Sequence, residues 1–210
     1  MKQNKIFAAA FAALVGLALP LCTASAQDVA LPSPTKSPVE GSLTKALQDR
    51  KSTRTFTDKA LSQQTLADLL WAADGVNRSD GRRTVPSAMN KQDVVVYVGT
   101  AEGSFRYDAK AHKLVKIGSG DLRKAVAGRN QFIQTAPAVL VIASDTSLFN
   151  GNMAISGIDV GTVVQNVYLY CAANGLGTVC CYAGEKTDEV QKFLGIKADM
   201  KPFIYMPVGY

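Results

Sequence analysis

The residues best suited to binding a charged ligand lie in the segment RKSTRTF at 50–56. It places Arg50, Lys51, Ser52 and Arg54 within five positions, just after a segment with helical spacing. Guanidinium, ammonium and hydroxyl groups all donate hydrogen bonds to phosphates and other anions. Clusters of this composition are also common on solvated surfaces, so the segment alone leaves both interpretations open. If it is a site, it would bind an anionic cofactor.

Hydrolytic and nucleotide-binding chemistry lack the necessary residues. No Gly-x-Ser-x-Gly motif is present, and the single histidine, His112, falls in a predicted hairpin bend, where we expect a solvated side chain. A serine or cysteine hydrolase would therefore lack its base. No Gly-x-Gly-x-x-Gly follows a predicted strand and there is no Walker loop. Chemistry carried by a bound cofactor is the remaining class, and we assign no catalytic side chain.

The cysteines do not indicate a metal site. Cys171, Cys180 and Cys181 follow the N-terminal segment without the paired spacing of a zinc site or a disulfide framework. One histidine cannot complete a ligand set with them. We expect buried, reduced thiols and no metal.

The N-terminus has the pattern of a secretory signal peptide. Lys2 and Lys5 precede an apolar run at 6–21, and the small residues at 23–26 form an Ala-x-Ala type cleavage site. The run is shorter than the roughly 20 residues that a membrane-spanning helix needs. We expect residues 1–26 to be removed and the mature chain to start at Gln27, outside the cytoplasm and in the periplasm.

The remaining chain is long enough for one domain. Removing residues 1–26 lowers the formal charge from +6 to +4 and leaves about 184 residues. Such a small, dispersed positive charge does not indicate nucleic-acid binding. Residues 27–41 contain three prolines and no apolar periodicity, which predicts an extended linker before a domain at 42–210.

The elements of this domain predict an α+β fold. Helical spacing occurs at 43–50 and 62–75, where Ser62 and Gly75 are the expected caps. It recurs at 120–133 and at 159–174, the latter apolar enough for a deeply buried helix. Strands are predicted at 94–100, in a hairpin over 103–117, at 138–144, 178–182 and 202–210. Because no regular βαβ repeat occurs, we expect a central mostly antiparallel or mixed sheet flanked by helices.

Three segments together resemble the flavin-dependent nitroreductase family. They are RKSTRTF, PSAMNKQ at 86–92, and DVGTVVQNVYLYCAANGLGTVCCYAG at 159–184, in the family's order and spacing. The hairpin FRYDAKAHKL resembles that of the subgroup related to SagB, dehydrogenases that oxidise azoline rings in peptides. The resemblance covers nearly all of 42–210. It implies a nitroreductase-like fold, FMN as cofactor and an obligate homodimer.

The resemblance also implies roles for individual residues. Arg50 would face the FMN phosphate and ribityl chain, Arg54 the pyrimidine end of the ring, with Lys51 and Ser52 in the same site. The partner subunit would supply Pro86, Ser87, Ala88 and Asn90. The segment along the flavin face near N5 would be Cys181, Tyr182, Ala183 and Gly184.

Two details of this assignment stay open at the level of sequence. Cys181 is either a redox-active thiol or a small apolar side chain that points inward, and we favour the second. Many family members carry a basic C-terminal tail on the FMN phosphate, whereas this sequence stops at Tyr210. Arg50 and Ser52 would then hold the phosphate, or a further cation such as Lys186 or Lys201.

The implied activity is that of an exported FMN-dependent oxidoreductase acting on a small molecule. Nitroaromatics, quinones, enones and an oxidisable ring all fit a flat site over flavin. The family's usual electron donors, NADH and NADPH, are cytoplasmic, so an exported protein would use another reductant or would oxidise its substrate. The alternatives are a flavin-binding or flavin-scavenging protein without turnover, and a dimeric interaction module that has lost flavin.

Overall fold

A single antiparallel sheet of eight strands forms the centre of the molecule. The structure is a computed structural model and describes residues 27–35 and 42–210. The strands pair in the order β1-β4-β3-β2-β5-β8-β6, and β7 lies beside β6 on the same edge of β8. Their bounds are β1 Val29–Ala30, β2 Val94–Thr100, β3 Gly103–Asp108, β4 Lys113–Gly118, β5 Ala138–Asp145, β6 Gly177–Thr178, β7 Cys181–Tyr182 and β8 Met200–Gly209.

Five helices cover the two faces of this sheet. They are α1 Leu43–Asp49, α2 Gln63–Asp74, α3 Leu122–Ala127, α4 Met153–Ala173 and α5 Thr187–Leu194. Helices α2 and α4 share one apolar core with the sheet, and α3 and α5 share the other. Strand β5 lies between β2 and β8, and its residues 138–144 are all buried, because an apolar run without alternation must be covered on both faces. The predicted antiparallel sheet flanked by helices is confirmed.

Local signals placed several element ends correctly. Ser62 caps α2 by accepting from the Thr65 N–H at 3.0 Å, and Gly75 ends it. A Cβ at Gly75 would stand 2.4 Å from the Trp71 side chain, so only glycine fits there.

Other element bounds differ from expectation. The helix predicted at 120–133 ends at Ala127, because Gly128 adopts φ +49, and a 3₁₀ turn at Gln131–Thr135 follows. Helix α4 begins at Met153, where the Asn152 side chain caps it, and one side of it is exposed rather than buried. The strand predicted at 178–182 is two short strands, and α5 was not predicted.

The proline-rich segment corrects the linker prediction over 27–35. Val29 pairs with Leu114 in the sheet, and Asp28 accepts from Lys113 Nζ at 2.8 Å. Further along, Gln64 Nε2 donates to the Ser33 carbonyl at 3.0 Å. Pro32 and Pro34 follow β1 and lie outside its ladder, so they remove no hydrogen bond from the sheet. The predicted signal peptide and residues 36–41 lie outside the described residues.

His112 holds this segment in place and is not the solvated loop residue we expected. Its Nε2 lies 3.0 Å from the Pro32 carbonyl and its Nδ1 lies 2.8 Å from the Tyr107 hydroxyl. Burial lowers the pKa of His112, which favours a neutral ring.

Among the helices of residues 27–35 and 42–210, none has both the length and the apolar character that a membrane-spanning segment needs.

Candidate functional site

Tyr168 joins the first and third sequence motifs. It lies on α4, and its hydroxyl accepts from the Cys180 N–H at 2.8 Å and lies 3.2 Å from Ser52 Oγ. The Arg50 guanidinium carbon stands 5.1 Å from the centre of its ring. A buried hydroxyl needs partners, and here it finds them on two loops. The sequence analysis did not assign Tyr168 to the site. The feature that could have indicated it is a tyrosine hydroxyl on an otherwise apolar face of a predicted buried helix.

Backbone contacts fasten segment 50–57 to the end of the sheet. The Thr53 N–H donates to the Thr178 carbonyl at 2.8 Å, and the Thr57 N–H donates to the Tyr210 carbonyl at 2.7 Å. A Cβ at Gly177 would lie 2.7 Å from the Thr53 side chain, so glycine permits this approach. The structure therefore brings segments 50–54 and 177–182 together.

The cations of segment 50–54 are not neutralised within the part of the chain that the structure describes. None of Arg50, Lys51 and Arg54 forms an ion pair there. Lys51, Ser52 and Arg54 are exposed. Exposed cations without a carboxylate partner in this part of the chain remain available to an anion, so these residues fit the phosphate of FMN and the negative charge of its reduced ring.

The two neighbouring cysteines differ in environment. Cys181 is buried on β7, and burial, with Cys180 adding to it and Arg54 opposing it, raises the pKa of its thiol to about 11. A neutral, buried thiol is a small apolar group, which favours the second interpretation of Cys181. Cys180 is exposed, so the expectation that all three thiols are buried is wrong at this position.

Residues 182–184 form one wall of a cavity of about 380 Å³. The Tyr182 side chain is 80% exposed, whereas Ala183 is buried and its N–H donates to the Phe203 carbonyl at 3.0 Å. Gly184 has φ +55, a conformation that glycine adopts without strain. Arg129, Asn130 and Lys186 line the same cavity.

The loop 86–92 is built from unusual backbone. Met89, Asn90 and Gln92 have φ of 52°, 52° and 51°, and left-handed residues other than glycine are uncommon. Such a conformation persists only where neighbours fix it. The Ala88 N–H donates to Asp159 Oδ2 at 2.7 Å, and the Gln92 N–H donates to Ser87 Oγ at 2.9 Å.

This loop stands apart from the first site within one chain. It is anchored at Asp159, nine residues before Tyr168 on α4. At 1.5 Å per residue, the two anchors are about 13 Å apart along the helix axis. The loop that carries Pro86, Ser87, Ala88 and Asn90 and the segment that carries Arg50 are thus fastened to different turns of α4.

Buried carboxyl groups support the loop from below. Asp93 and Asp159 are 1% and 4% exposed, and the Ser144 hydroxyl donates to Asp93. Burial, together with the neighbouring Asp159, raises the pKa of Asp93 to about 6. Arg83 donates to the buried carboxylate of Asp74, and burial raises the pKa of Asp74 to about 7 against the effect of this ion pair.

The chain belongs to the nitroreductase family. The sequence model of the Nitroreductase family matches residues 47–210. A Methanocaldococcus jannaschii protein named as a nitroreductase is 35% identical over 174 residues, which are 76% of this chain and 86% of that protein.

Solved structures show the same fold. A Ralstonia eutropha protein named as a nitroreductase superposes with a TM-score of 0.80 at 32% identity, over 87% of this chain and 88% of that chain. An FMN-dependent nitroreductase of Clostridium difficile superposes with a TM-score of 0.58 at 16% identity, over 80% and 86% of the two chains. At that identity the likeness concerns the fold alone.

Proposed function

We propose that this protein is an FMN-dependent oxidoreductase acting on a small organic molecule. The observation that carries the proposal is the group of free cations at 50–54, fastened through Tyr168 to segment 177–182 in a chain of the nitroreductase family. When bound, FMN accepts and donates hydride or electrons, which the side chains here cannot do. The substrate class is a nitroaromatic, a quinone, an enone or an oxidisable ring.

The residues near the cofactor act by binding and polarisation. Arg50 binds the phosphate and ribityl end, with Ser52 beside it, and Arg54 lies at the pyrimidine end of the ring. A fixed cation at that end stabilises the negative charge of the reduced form. Segment 181–184 contributes mainly backbone along the ring, since Cys181 and Ala183 are buried. Membership of the SagB-related subgroup stays a prediction.

The active form in this proposal is a homodimer. Loop 86–92 would contribute Ser87 and Asn90 to the partner's flavin, as the family resemblance implies, and its separation from Tyr168 along α4 favours this arrangement. Adjacent helices α1 and α4 expose large apolar side chains, as a docking surface does: Leu43 is 66%, Leu47 is 53% and Ile158 is 69% exposed. Sedimentation of the purified protein would show a dimer, and a monomer that retains stoichiometric FMN would contradict it.

The protein is exported in this proposal, and it works with a donor other than cytoplasmic NADH or NADPH. The support is the positive, apolar and small-residue pattern of 1–26. N-terminal sequencing of protein recovered from the periplasmic fraction should begin at Gln27. Full-length protein confined to the cytoplasm would contradict export and restore NAD(P)H as the expected donor.

Turnover separates an enzyme from a flavin-scavenging protein. The FMN-loaded protein would be reduced anaerobically with reduced methyl viologen and mixed in a stopped-flow instrument with a quinone or nitroaromatic. An enzyme reoxidises faster than free reduced FMN at equal concentration and turns over repeatedly. Reoxidation no faster than that of free flavin would favour the scavenging alternative.

A further inference from the structure

Three arginines line a cavity beside the loop that the proposed function assigns to the partner's flavin. The cavity has a volume of about 280 Å³. Its walls include Arg78, Arg82 and Arg83 together with four residues of the loop itself, Pro86, Ser87, Asn90 and Gln92.

These arginines differ in how firmly they are engaged. Arg83 is committed to the structure, since it donates to the Asp74 carboxylate and to the Val94 carbonyl. Arg82 pairs with Asp80 at 3.2 Å, and both side chains are at least half exposed, so this pair contributes only about 0–1 kcal/mol. Its guanidinium can change partners at little cost.

Arg78 is positioned without being neutralised. Its NH2 group donates to the Arg83 carbonyl at 2.9 Å and its Nε donates to Asn77 Oδ1 at 3.1 Å, both neutral acceptors. No carboxylate pairs with Arg78 in the described ranges. The guanidinium is thus held in place with a full positive charge and further N–H donors available.

The size of the cavity limits what it can accept. Sites that enclose a drug-sized ligand have volumes of roughly 300–1,000 Å³. A cavity of about 280 Å³ lies just below that range and suits one polar end of a larger molecule. A phosphate matches the chemistry, because its oxygens accept the paired N–H groups of a guanidinium.

We propose that Arg78, assisted by Arg82, binds the phosphate of the FMN whose ring is held by the partner subunit. This inference rests on the proposed function, because Ser87 and Asn90 line the same cavity and are the residues assigned to the partner's flavin. A phosphate monoester carries about −1.5 to −2 charges at pH 7, and Arg50 supplies one positive charge. Arg78 supplies the second from across the dimer.

The test compares FMN with riboflavin, which lacks only the phosphate. Flavin fluorescence would be titrated with flavin-free wild-type protein, with Arg78→Gln and with the charge-matched control Lys192→Gln, whose exposed side chain lies on α5. Arg78→Gln should weaken FMN binding at least about 10-fold and change riboflavin binding less than about twofold, since the lost hydrogen bond joins two charged groups. Lys192→Gln should change neither.

Other results of these titrations would overturn either the phosphate assignment or the proposed function. Equal losses for FMN and riboflavin, or no loss for either, would overturn the phosphate assignment while leaving FMN binding intact. A wild-type protein that binds neither flavin would overturn the proposed function, and this inference with it. Millimolar inorganic phosphate should compete with FMN but not with riboflavin. Phosphate binding that needs Arg78 while FMN binding does not would assign the cavity to another phosphate.

Mixed dimers test whether Arg78 acts across the interface. Arg50→Ala and Arg78→Gln subunits would be combined under conditions that exchange subunits. In a mixed dimer one site regains both arginines, so random pairing restores about a quarter of the sites to wild-type FMN affinity. Mixing without recovery would show that the two arginines act from the same subunit and would overturn the proposal.

Discussion

The two regions assigned to flavin are held in place by opposite means. Segment 50–57 is fixed by backbone carbonyls and by the neutral hydroxyl of Tyr168, so its cations form no ion pair with the residues that the structure describes. Loop 86–92 is fixed by buried charged groups, with Asp159 below it and the Asp74–Arg83 pair beside it. The charged side chains of segment 50–57 are therefore available to a ligand. The charged groups near loop 86–92 instead contact the protein itself and stabilise the left-handed backbone of the loop. Substitutions of the cations in segment 50–57 should therefore affect mainly flavin binding, whereas substitutions beneath loop 86–92 should affect mainly the free energy of unfolding.

The largest effect should come from Asp159→Ala. It removes the acceptor of the partly buried Ala88 N–H, so we expect a loss of about 2–3 kcal/mol in the free energy of unfolding, measured in urea. Asp159→Asn keeps an acceptor oxygen and should lose less than half as much. Equal stabilities for the alanine variant and wild type would show that loop 86–92 does not depend on this anchor.

The Asp93 carboxyl should make stability fall as pH rises. Its pKa is raised to about 6 in the folded protein, against about 3.9 when unfolded, so the folded state binds the extra proton between these values. The contribution is therefore present below pH 4 and lost as pH rises through 6, by about 3 kcal/mol. Asp93→Asn should flatten this part of the profile relative to wild type, while the contribution of Asp74 remains in both proteins. If the free energy of unfolding changed with pH equally in wild type and in Asp93→Asn, the raised pKa of Asp93 would be contradicted.

Tyr168→Phe tests the neutral anchor of the first region. Losing the hydroxyl leaves the Cys180 N–H without its acceptor, which should lower the free energy of unfolding by about 1–2 kcal/mol and weaken FMN binding. The matched control is Tyr170→Phe on the same helix, whose hydroxyl makes only a 3.4 Å contact with the Thr65 carbonyl. The hypothesis fails if the control variant loses as much flavin affinity as Tyr168→Phe.

Arg54→Ala should be nearly silent in stability, because its exposed side chain forms no ion pair among the described residues. It should instead weaken flavin binding and lower the reduction potential, since a cation beside the ring favours the reduced form. Spectroscopic redox titration against a reference dye measures this shift. An unchanged potential together with unchanged affinity would exclude Arg54 from the ring site.

Much of the fold could be predicted because its signals are local. The apolar runs of β2 and β5 and the caps of α2 lie within short stretches of sequence. Strand β1 was missed because Pro32 and Pro34, which follow it, indicate an extended chain and say nothing of the sheet edge that the chain joins. The break at Gly128 depends on a backbone conformation, which helical spacing does not reveal.

In the candidate site, too, the local features could be predicted from the sequence and the long-range contacts could not. The motif residues were recognisable as types, yet the contacts that organise them join residues far apart in the chain. Ser52 lies 116 positions from Tyr168, and Ala88 lies 71 positions from Asp159. Their meeting follows from the packing of α4 on the sheet, and no local pattern encodes it.

Flavin stoichiometry tests the central proposal most directly. Protein from residue 27 onward would be incubated with FMN and desalted, and its absorbance spectrum would be recorded beside that of Arg50→Ala. We expect flavin peaks at about one FMN per chain in wild type and a clear loss in the variant, because Arg50 binds the phosphate end. A folded wild-type protein that emerges colourless would contradict the assignment of FMN to this chain.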